Sequence, residues 1–423
     1  MQKNIVMKRL FAFVIIYLVS VHFVDAQIVN KILPPHLYNH TFPEISEPDS
    51  RIQSMIEDLK VEELQADVDH LCSYHNRRAK GPYIYEVQDW LVSEFQSFGI
   101  DTVVLHQFKP INTWGYEWGF ETAANVLAVQ KGTKYPNEYV ICGGHYDSTV
   151  KVYEYDDPYA DTLRSPGADD NASGTAGILA TARILSKYNF ERTIIYAAWN
   201  AEECGLCGSS EFAKDCAADS IDIVAYTNLD MTGYLEPGNE MVINLLYTKC
   251  DSLLGNFMKQ VVNVYYPEIR VWQEWLSSGD TDYSSFNRNG YQAISLSEEV
   301  HNMSPYIHSI NDIVGVSLNN YDQSMLFTGV TLAAVAELAG LSDLSVDENV
   351  KENLQVFPNP ASDIVKIKGD FQSIDVFDLT GKQVFSTENQ DEIDVSNWNA
   401  GIYIIKSVTF DGRFFTNKFF VKH

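Results

Sequence analysis

The chain has 423 residues and a net charge of −27, from 57 acidic and 30 basic side chains. That length supports two or three domains with a sizeable core, and such acidity repels phosphate and anionic lipid, which argues against nucleic acid as a partner. No tandem repeat or low-complexity run appears, which excludes solenoid and collagen-like architectures.

At the start of the chain, Lys3, Lys8 and Arg9 precede an apolar stretch from Leu10 to Val24, followed by Asp25, Ala26 and Gln27. This pattern predicts a secretory signal peptide over residues 1–26. About 15 apolar residues fall short of the ~20 that span a bilayer as a helix, so no stable membrane span is expected. Residues 27–51 are rich in Pro, His and Asn without periodicity and read as an N-terminal extension or propeptide, either removable or laid over the core.

Apolar residues at Ile52, Met55, Ile56, Leu59, Leu64, Val68 and Leu71 predict one or two amphipathic helices, and Ile84 to Phe98 predicts another, closed by Gly99. Strand-like and helix-like segments then alternate as far as a long helix around Met325 to Leu341. The alternation predicts a three-layer α/β/α domain over residues 52–341 with a mixed, mostly parallel central sheet. Polar SDLSVDENVKEN at 342–353 reads as a linker. Residues 354–423 read as a small all-β sandwich with strands IVKIKG, SIDVFDL, KQVFST, GIYIIKSVTF and RFFTNKFFVK, turned at Thr380-Gly381 and Asp411-Gly412.

Three apolar, strand-like runs in the larger domain end in metal-grade side chains: YVICGGH at His145, TIIYAAWNAEE at Glu202 and Glu203, and IVAYTNLD at Asp230. Side chains at the carboxyl ends of parallel strands converge on one crevice. PGADDNASG places Asp169 and Asp170 at a helix start, where either carboxylate suits a metal or a helix cap. With His308 the ligand inventory is His145, Asp170, Glu203, Asp230 and His308, all of types zinc accepts. Five protein ligands serve two ions only if one carboxylate bridges, and each ion then keeps an open position, as catalysis requires.

Glu202 precedes a ligand at a strand end, so alternation is expected to aim it elsewhere, toward water, as a general base. Asp147 is expected to accept the other N–H of His145, and Asp312 to do the same for His308. Six cysteines include one C-x-x-C, Cys204 and Cys207, with no second pair to complete a four-ligand site. They read as core thiols or one or two disulfides.

His145-Tyr146-Asp147-Ser148, GADDNASG, Glu202-Glu203 followed by GLCGS, NLDMTG, and His308 with Asp312 together resemble metallopeptidase family twenty-eight over roughly Ile52 to Leu341. That family holds co-catalytic zinc exopeptidases such as bacterial leucine aminopeptidases. The resemblance implies two zinc ions, with His145 and Asp230 on one, Glu203 and His308 on the other, and Asp170 bridging. It implies catalysis by Glu202, supported by Asp147, through a metal-bridging water, and a cis peptide bond after Asp170.

The segment Thr281-Asp282-Tyr283 departs from the Ser-Asp-His of many relatives, so substrate contacts do not transfer. Tyr283 and Tyr306 are the candidate oxyanion donors. The acidic, tyrosine-rich TVKVYEYDDPYADTLR is expected to border the mouth and hold a substrate's free α-amino group.

At the other end, VFPNPASD, FDLTGKQVF and NAGIYIIK resemble the sorting domain of the type IX secretion system. This resemblance implies passage through that machinery, then release or attachment at the outer-membrane surface. The expected activity is a secreted zinc aminopeptidase acting on peptide or protein substrates. The alternatives are a glutaminyl-peptide cyclase, a carboxypeptidase or dipeptidase of the same fold, and a surface adhesin on an inactive peptidase fold.

Overall fold

The computed structural model describes residues 40–100, 102–113, 115–119, 123–150, 162–248, 252–275, 281–342, 355–369, 371–378, 382–388, 390–408 and 414–422. It divides into two compact units, Met1–Asp343 and Leu344–His423.

The first unit is built on an eight-stranded sheet. Its strands are β1 Val103–Phe108, β2 Ala123–Gln130, β3 Tyr135–His145, β4 Arg192–Trp199, β5 Asp222–Leu229, β6 Val242–Tyr247, β7 Arg270–Trp275 and β8 Ala293–Ser297, in the order β1-β2-β4-β3-β5-β8-β6-β7. The centre, β4-β3-β5-β8, is parallel, and so is β6 with β7. The pairs β1-β2, β2-β4 and β6-β8 are antiparallel. The strands β4 and β5 are buried along nearly their whole length and β3 from Tyr139 onward, which explains why they read as continuous apolar runs.

Strand alternation sends two sets of side chains to opposite faces. Val140, Cys142, Ile194, Tyr196 and Ala198 join one apolar cluster, whereas Tyr139, Ile141, Ile195, Ala197 and Trp199 join another. The first face packs against α1 Ser50–Glu57, α2 Val61–Ser73, α3 Ile84–Ser97, α4 Gly174–Leu185, α6 Ser252–Tyr265 and α8 Tyr321–Ala339. The second is covered by α5 Cys207–Ala218 and α7 Tyr283–Arg288.

Asp49 caps α1 by accepting the Arg51 N–H at 2.8 Å, and α1 and α2 share the single apolar pattern read in the sequence. The long helix starts at Tyr321, where Asn320 accepts the Gln323 N–H at 3.0 Å, and ends at Gly340 with φ +70°. Most of α8 is buried all round, as a helix central to a large core must be. From His40 onward the N-terminal segment lies over this core: Phe42 packs on Phe257, and Asp49 N–H donates to Tyr265 Oη at 3.1 Å. Residues 1–39, with the expected signal peptide, lie outside the described residues.

The second unit has a three-stranded sheet, β13-β10-β9, and a four-stranded sheet, β12-β11-β14-β15. Its strands are β9 Gln355–Phe357, β10 Ile364–Lys368, β11 Ser373–Asp378, β12 Gln383–Glu388, β13 Glu392–Asp394, β14 Gly401–Val408 and β15 Phe414–Val421. Val365, Ile367, Ile374, Val376, Ile405 and Val421 fill the core. The strands β9 and β13 add to the five read in the sequence; at three residues each they carry too little alternation to be recognised. Both expected hairpin turns fall outside the described residues.

Candidate metal centre

His145 is the last residue of β3, Asp230 follows the last residue of β5, and Glu202 and Glu203 lie just beyond β4. Since β4, β3 and β5 are neighbours, their carboxyl ends open on one crevice. Asp170 enters from the turn Ala168–Ser173 that feeds α4, and His308 from the loop between β8 and α8, with φ +53°. The peptide bond Asp170–Asn171 is cis.

These five side chains form two groups sharing one carboxylate. His145 Nε2 lies 3.1 Å from Asp170 Oδ1 and 3.4 Å from Asp230 Oδ1. His308 Nε2 lies 2.9 Å from Asp170 Oδ2 and 3.1 Å from Glu203 Oε2. Asp170 thus offers a different oxygen to each group. Ligands of a tetrahedral zinc at its usual bond lengths stand about 3.3 Å apart, so both groups fit a zinc-sized ion. Asp230 Oδ1 in one group and Glu203 Oε1 in the other are buried without a hydrogen-bond partner, a costly state that a cation in each group relieves.

The electrostatics agree with this reading. Burial opposes charge on His308, yet hydrogen bonds to Asp170 and Glu203 raise its pKa to about 10. Burial likewise opposes ionisation of Asp170, but hydrogen bonds from His145 and His308 hold its carboxyl far below the usual range. Glu203 is pushed up to about 7 by burial and by Asp170. Glu202 is also raised, first by burial, with His145 opposing and Glu203, Asp282 and Asp230 adding to the rise. A field that draws protons onto buried imidazoles also draws divalent cations.

Several expectations need correction. Strand alternation does not separate Glu202 from Glu203, because β4 ends at Trp199. Ala201 has φ +61°, and the Glu202 carbonyl accepts the N–H groups of Gly205 and Leu206, so a tight turn presents the two glutamates. Asp147 does face His145, whose Nδ1 stands 3.5 Å from its Oδ1, but it has a second task. Its carboxylate receives the N–H of Glu202 at 3.1 Å and of Glu203 at 3.3 Å, while Nδ1 of His145 is nearest the Asp147 carbonyl, at 3.2 Å. Asp147 therefore braces the glutamate turn against the His145 segment.

Asp312 likewise receives the N–H groups of Asp169 (2.9 Å) and Asp170 (3.1 Å), where a partnership with His308 was expected. Of the two adjacent aspartates, Asp169 turns away and accepts the Gly233 N–H at 2.7 Å. Tyr283 packs in the apolar layer with Trp199 and Phe286, which removes it as an oxyanion donor. Tyr306, half-buried, sits on the His308 loop. Residues 151–161, most of the acidic loop expected at the mouth, lie outside the described residues.

Cys204 and Cys207 belong to a small apolar cluster with Phe108 and Ala123, and all five described cysteines are buried thiols. Their neighbourhood steadies the glutamate turn, since Trp118 Nε1 donates to the Cys204 carbonyl at 2.7 Å. Sequence reading missed Thr281, whose hydroxyl donates to Asp230 Oδ2, and Asp282, fully buried beside it. Thr281 stands where many relatives have Ser, and Asp282 matches their Asp, so residue type gave little signal for either.

Residues 125–325 match Peptidase family M28, and residues 355–422 match the Secretion system C-terminal sorting domain. The first unit thus contains a Peptidase M28 domain. A "Probable leucine aminopeptidase" of Trichophyton verrucosum (strain HKI 0517) is 28% identical over 274 residues, 62% of this chain and 68% of the relative. "Leucine aminopeptidase 1" of Colletotrichum graminicola (strain M1.001 / M2 / FGSC 10212) is 27% identical over 328 residues, 74% of this chain and 77% of the relative.

Among solved structures, LapB from Legionella pneumophila superposes with a TM-score of 0.59 at 25% identity, covering 71% of this chain and 78% of LapB. A Porphyromonas gingivalis glutaminyl cyclase has a TM-score of 0.53 at 16% identity, over 66% of this chain and 98% of that one, and shares the fold. The protein is a metallopeptidase of the zinc-dependent kind, with a sorting domain for secretion or cell-surface export. No helix among the described residues is long and apolar enough to cross a membrane.

Proposed function

We propose that this protein is a secreted two-zinc aminopeptidase that removes N-terminal residues from peptides. The carrying observation is the pair of ligand groups joined through the two oxygens of Asp170. In this reading His145, Asp230 and Asp170 hold one ion, and Glu203, His308 and Asp170 the other. Zinc supplies Lewis acidity there, polarising a scissile carbonyl and acidifying water.

Glu202 accepts a proton from the attacking water and returns it to the departing amine as the C–N bond breaks. Its backbone is held by the Asp147 carboxylate, which keeps its side chain at the crevice. The acidity of the site favours a substrate that brings a free α-ammonium group, and the leucine aminopeptidase names of the relatives support that direction. A signal peptide over residues 1–26 and the sorting domain together support export by the type IX route.

The test is hydrolysis of free and N-acetylated leucyl peptides, with and without a chelator, beside Glu202→Gln. We expect chelator-sensitive release of leucine from the free peptide alone and a fall of about 10²- to 10⁴-fold in Glu202→Gln. Equal cleavage of the acetylated peptide would overturn aminopeptidase specificity. Cyclisation of a glutaminyl peptide without hydrolysis would favour the cyclase chemistry found on the same fold.

A further inference from the structure

Arg77 is fully buried and, among the described residues, no carboxylate accepts a hydrogen bond from it. Its guanidinium spends its donors on main-chain carbonyls. Nε donates to Tyr146 O at 2.8 Å, Nη1 to Leu71 O at 3.1 Å and to Pro166 O, and Nη2 to Gly167 O at 2.9 Å. Its backbone is tied to the same region, because Arg77 N–H donates to Ser148 Oγ at 3.1 Å and Ser148 N–H to the Arg77 carbonyl at 3.2 Å.

The acceptors are not scattered. Tyr146 directly follows His145, and Pro166 and Gly167 lead into the turn that carries Asp170. Arg77 therefore bolts the segment presenting a terminal ligand to the segment presenting the shared one, with the end of α2 as the third anchor. The fit is tight: Gly167 has φ +53°, and a Cβ there would stand 2.9 Å from Arg77 Nη2 and 2.5 Å from the Asp170 carbonyl. The charge left without a bonded carboxylate also faces the acidic groups of the site, Asp312, Asp147 and Asp170 among them. A planar fork with several fixed donors suits this task and an ammonium does not.

We propose that Arg77 is a positioning residue of the metal centre, acting through the carbonyls of Tyr146, Pro166 and Gly167 to hold His145 and Asp170 at ligand spacing. The inference rests on the metal-centre reading above.

The test measures zinc affinity by competition with a chromophoric chelator, and the visible spectrum of the cobalt(II)-substituted protein, for wild type, Arg77→Gln and Arg77→Lys. Arg183→Gln serves as the control, because Arg183 pairs with Asp67 at 2.8 Å, on α2 ahead of Leu71, and bonds to neither the His145 nor the Asp170 segment. Both Arg77 variants should bind zinc about 10- to 100-fold more weakly and show an altered cobalt spectrum. Lysine fails to rescue because it keeps the charge and loses the fork, whereas Arg183→Gln keeps wild-type affinity.

Undiminished zinc affinity in either Arg77 variant overturns the inference, even if its melting temperature drops. Should Arg77→Gln not fold, Arg77→Lys and hydrogen exchange on the wild-type protein decide. Zinc should slow exchange at residues 71–78 together with 143–148 and 165–171, and unchanged exchange at 71–78 would overturn the proposal. A wild-type protein that takes up no zinc overturns the reading of the centre and this inference with it.

Discussion

The two units of this chain solve burial in opposite ways. In the second unit the only buried polar residue among those described is Ser407, and its core is aliphatic and aromatic throughout. The first unit has a far larger apolar core, yet at one end of its sheet it also buries Asp147, Asp169, Asp170, Asp230, Asp282, Glu298 and Asp312. Uncompensated carboxylates at such depth cost several kcal/mol each. Backbone N–H groups, Arg77 and the two imidazoles offset part of that cost, and the proposed cations offset more. The contrast teaches that the larger unit gives up stability at one edge to build a site, while the smaller one shows no such concession.

The largest effect that would break or sharpen this comparison is removal of the shared ligand. Asp170→Asn keeps the shape of the side chain and removes its charge, so zinc uptake and peptide hydrolysis should both collapse while unit 2 melts unchanged. Metal analysis and calorimetry together check this, and retention of two zinc ions per chain would refute the bridging role.

An intermediate effect belongs to the other unit. Ile405 is 1% exposed in its core, and Ile405→Ala should destabilise that unit by about 2–5 kcal/mol. Aminopeptidase turnover should stay at the wild-type level. A parallel loss of turnover would show that the two units do not stand apart energetically.

The smallest effect is a pH dependence away from the crevice. Burial raises Asp67 from 3.8 to about 6, against the opposing pull of Arg183. Between those values the folded chain binds a proton that the unfolded chain does not. This contribution to stability is fully present below pH 3.8 and is lost as pH rises through about 6. Asp67→Asn should remove that part of the slope, at most about 3 kcal/mol across the window. Melting temperatures of both proteins at a series of pH values would reveal it, and parallel curves would count against the assignment.

Much of the fold could be read from local pattern, because central parallel strands buried on both faces appear as apolar runs and their carboxyl ends carry the polar residues. His145, Asp170, Glu203, Asp230 and His308 could be picked as one set by residue type and motif, and the folded chain gathers them into two groups of three that share Asp170. The partners of Asp147 and Asp312 could not be read in the same way. Their hydrogen bonds cross about 55 and 142 residues to backbone groups, and a backbone donor carries no side-chain signature.

The sequence by itself determined the order of the elements, the division into an α/β unit and a β unit, and the chemical inventory at the strand ends, since these depend on periodicity and residue type. Only the tertiary structure decided that a tight turn rather than strand alternation presents Glu202, that Tyr283 points into the apolar layer, and that Arg77 joins the His145 and Asp170 segments. Those outcomes depend on which distant backbone groups meet once the helices have packed on the sheet. A buried polar side chain takes whatever partner that packing leaves within reach.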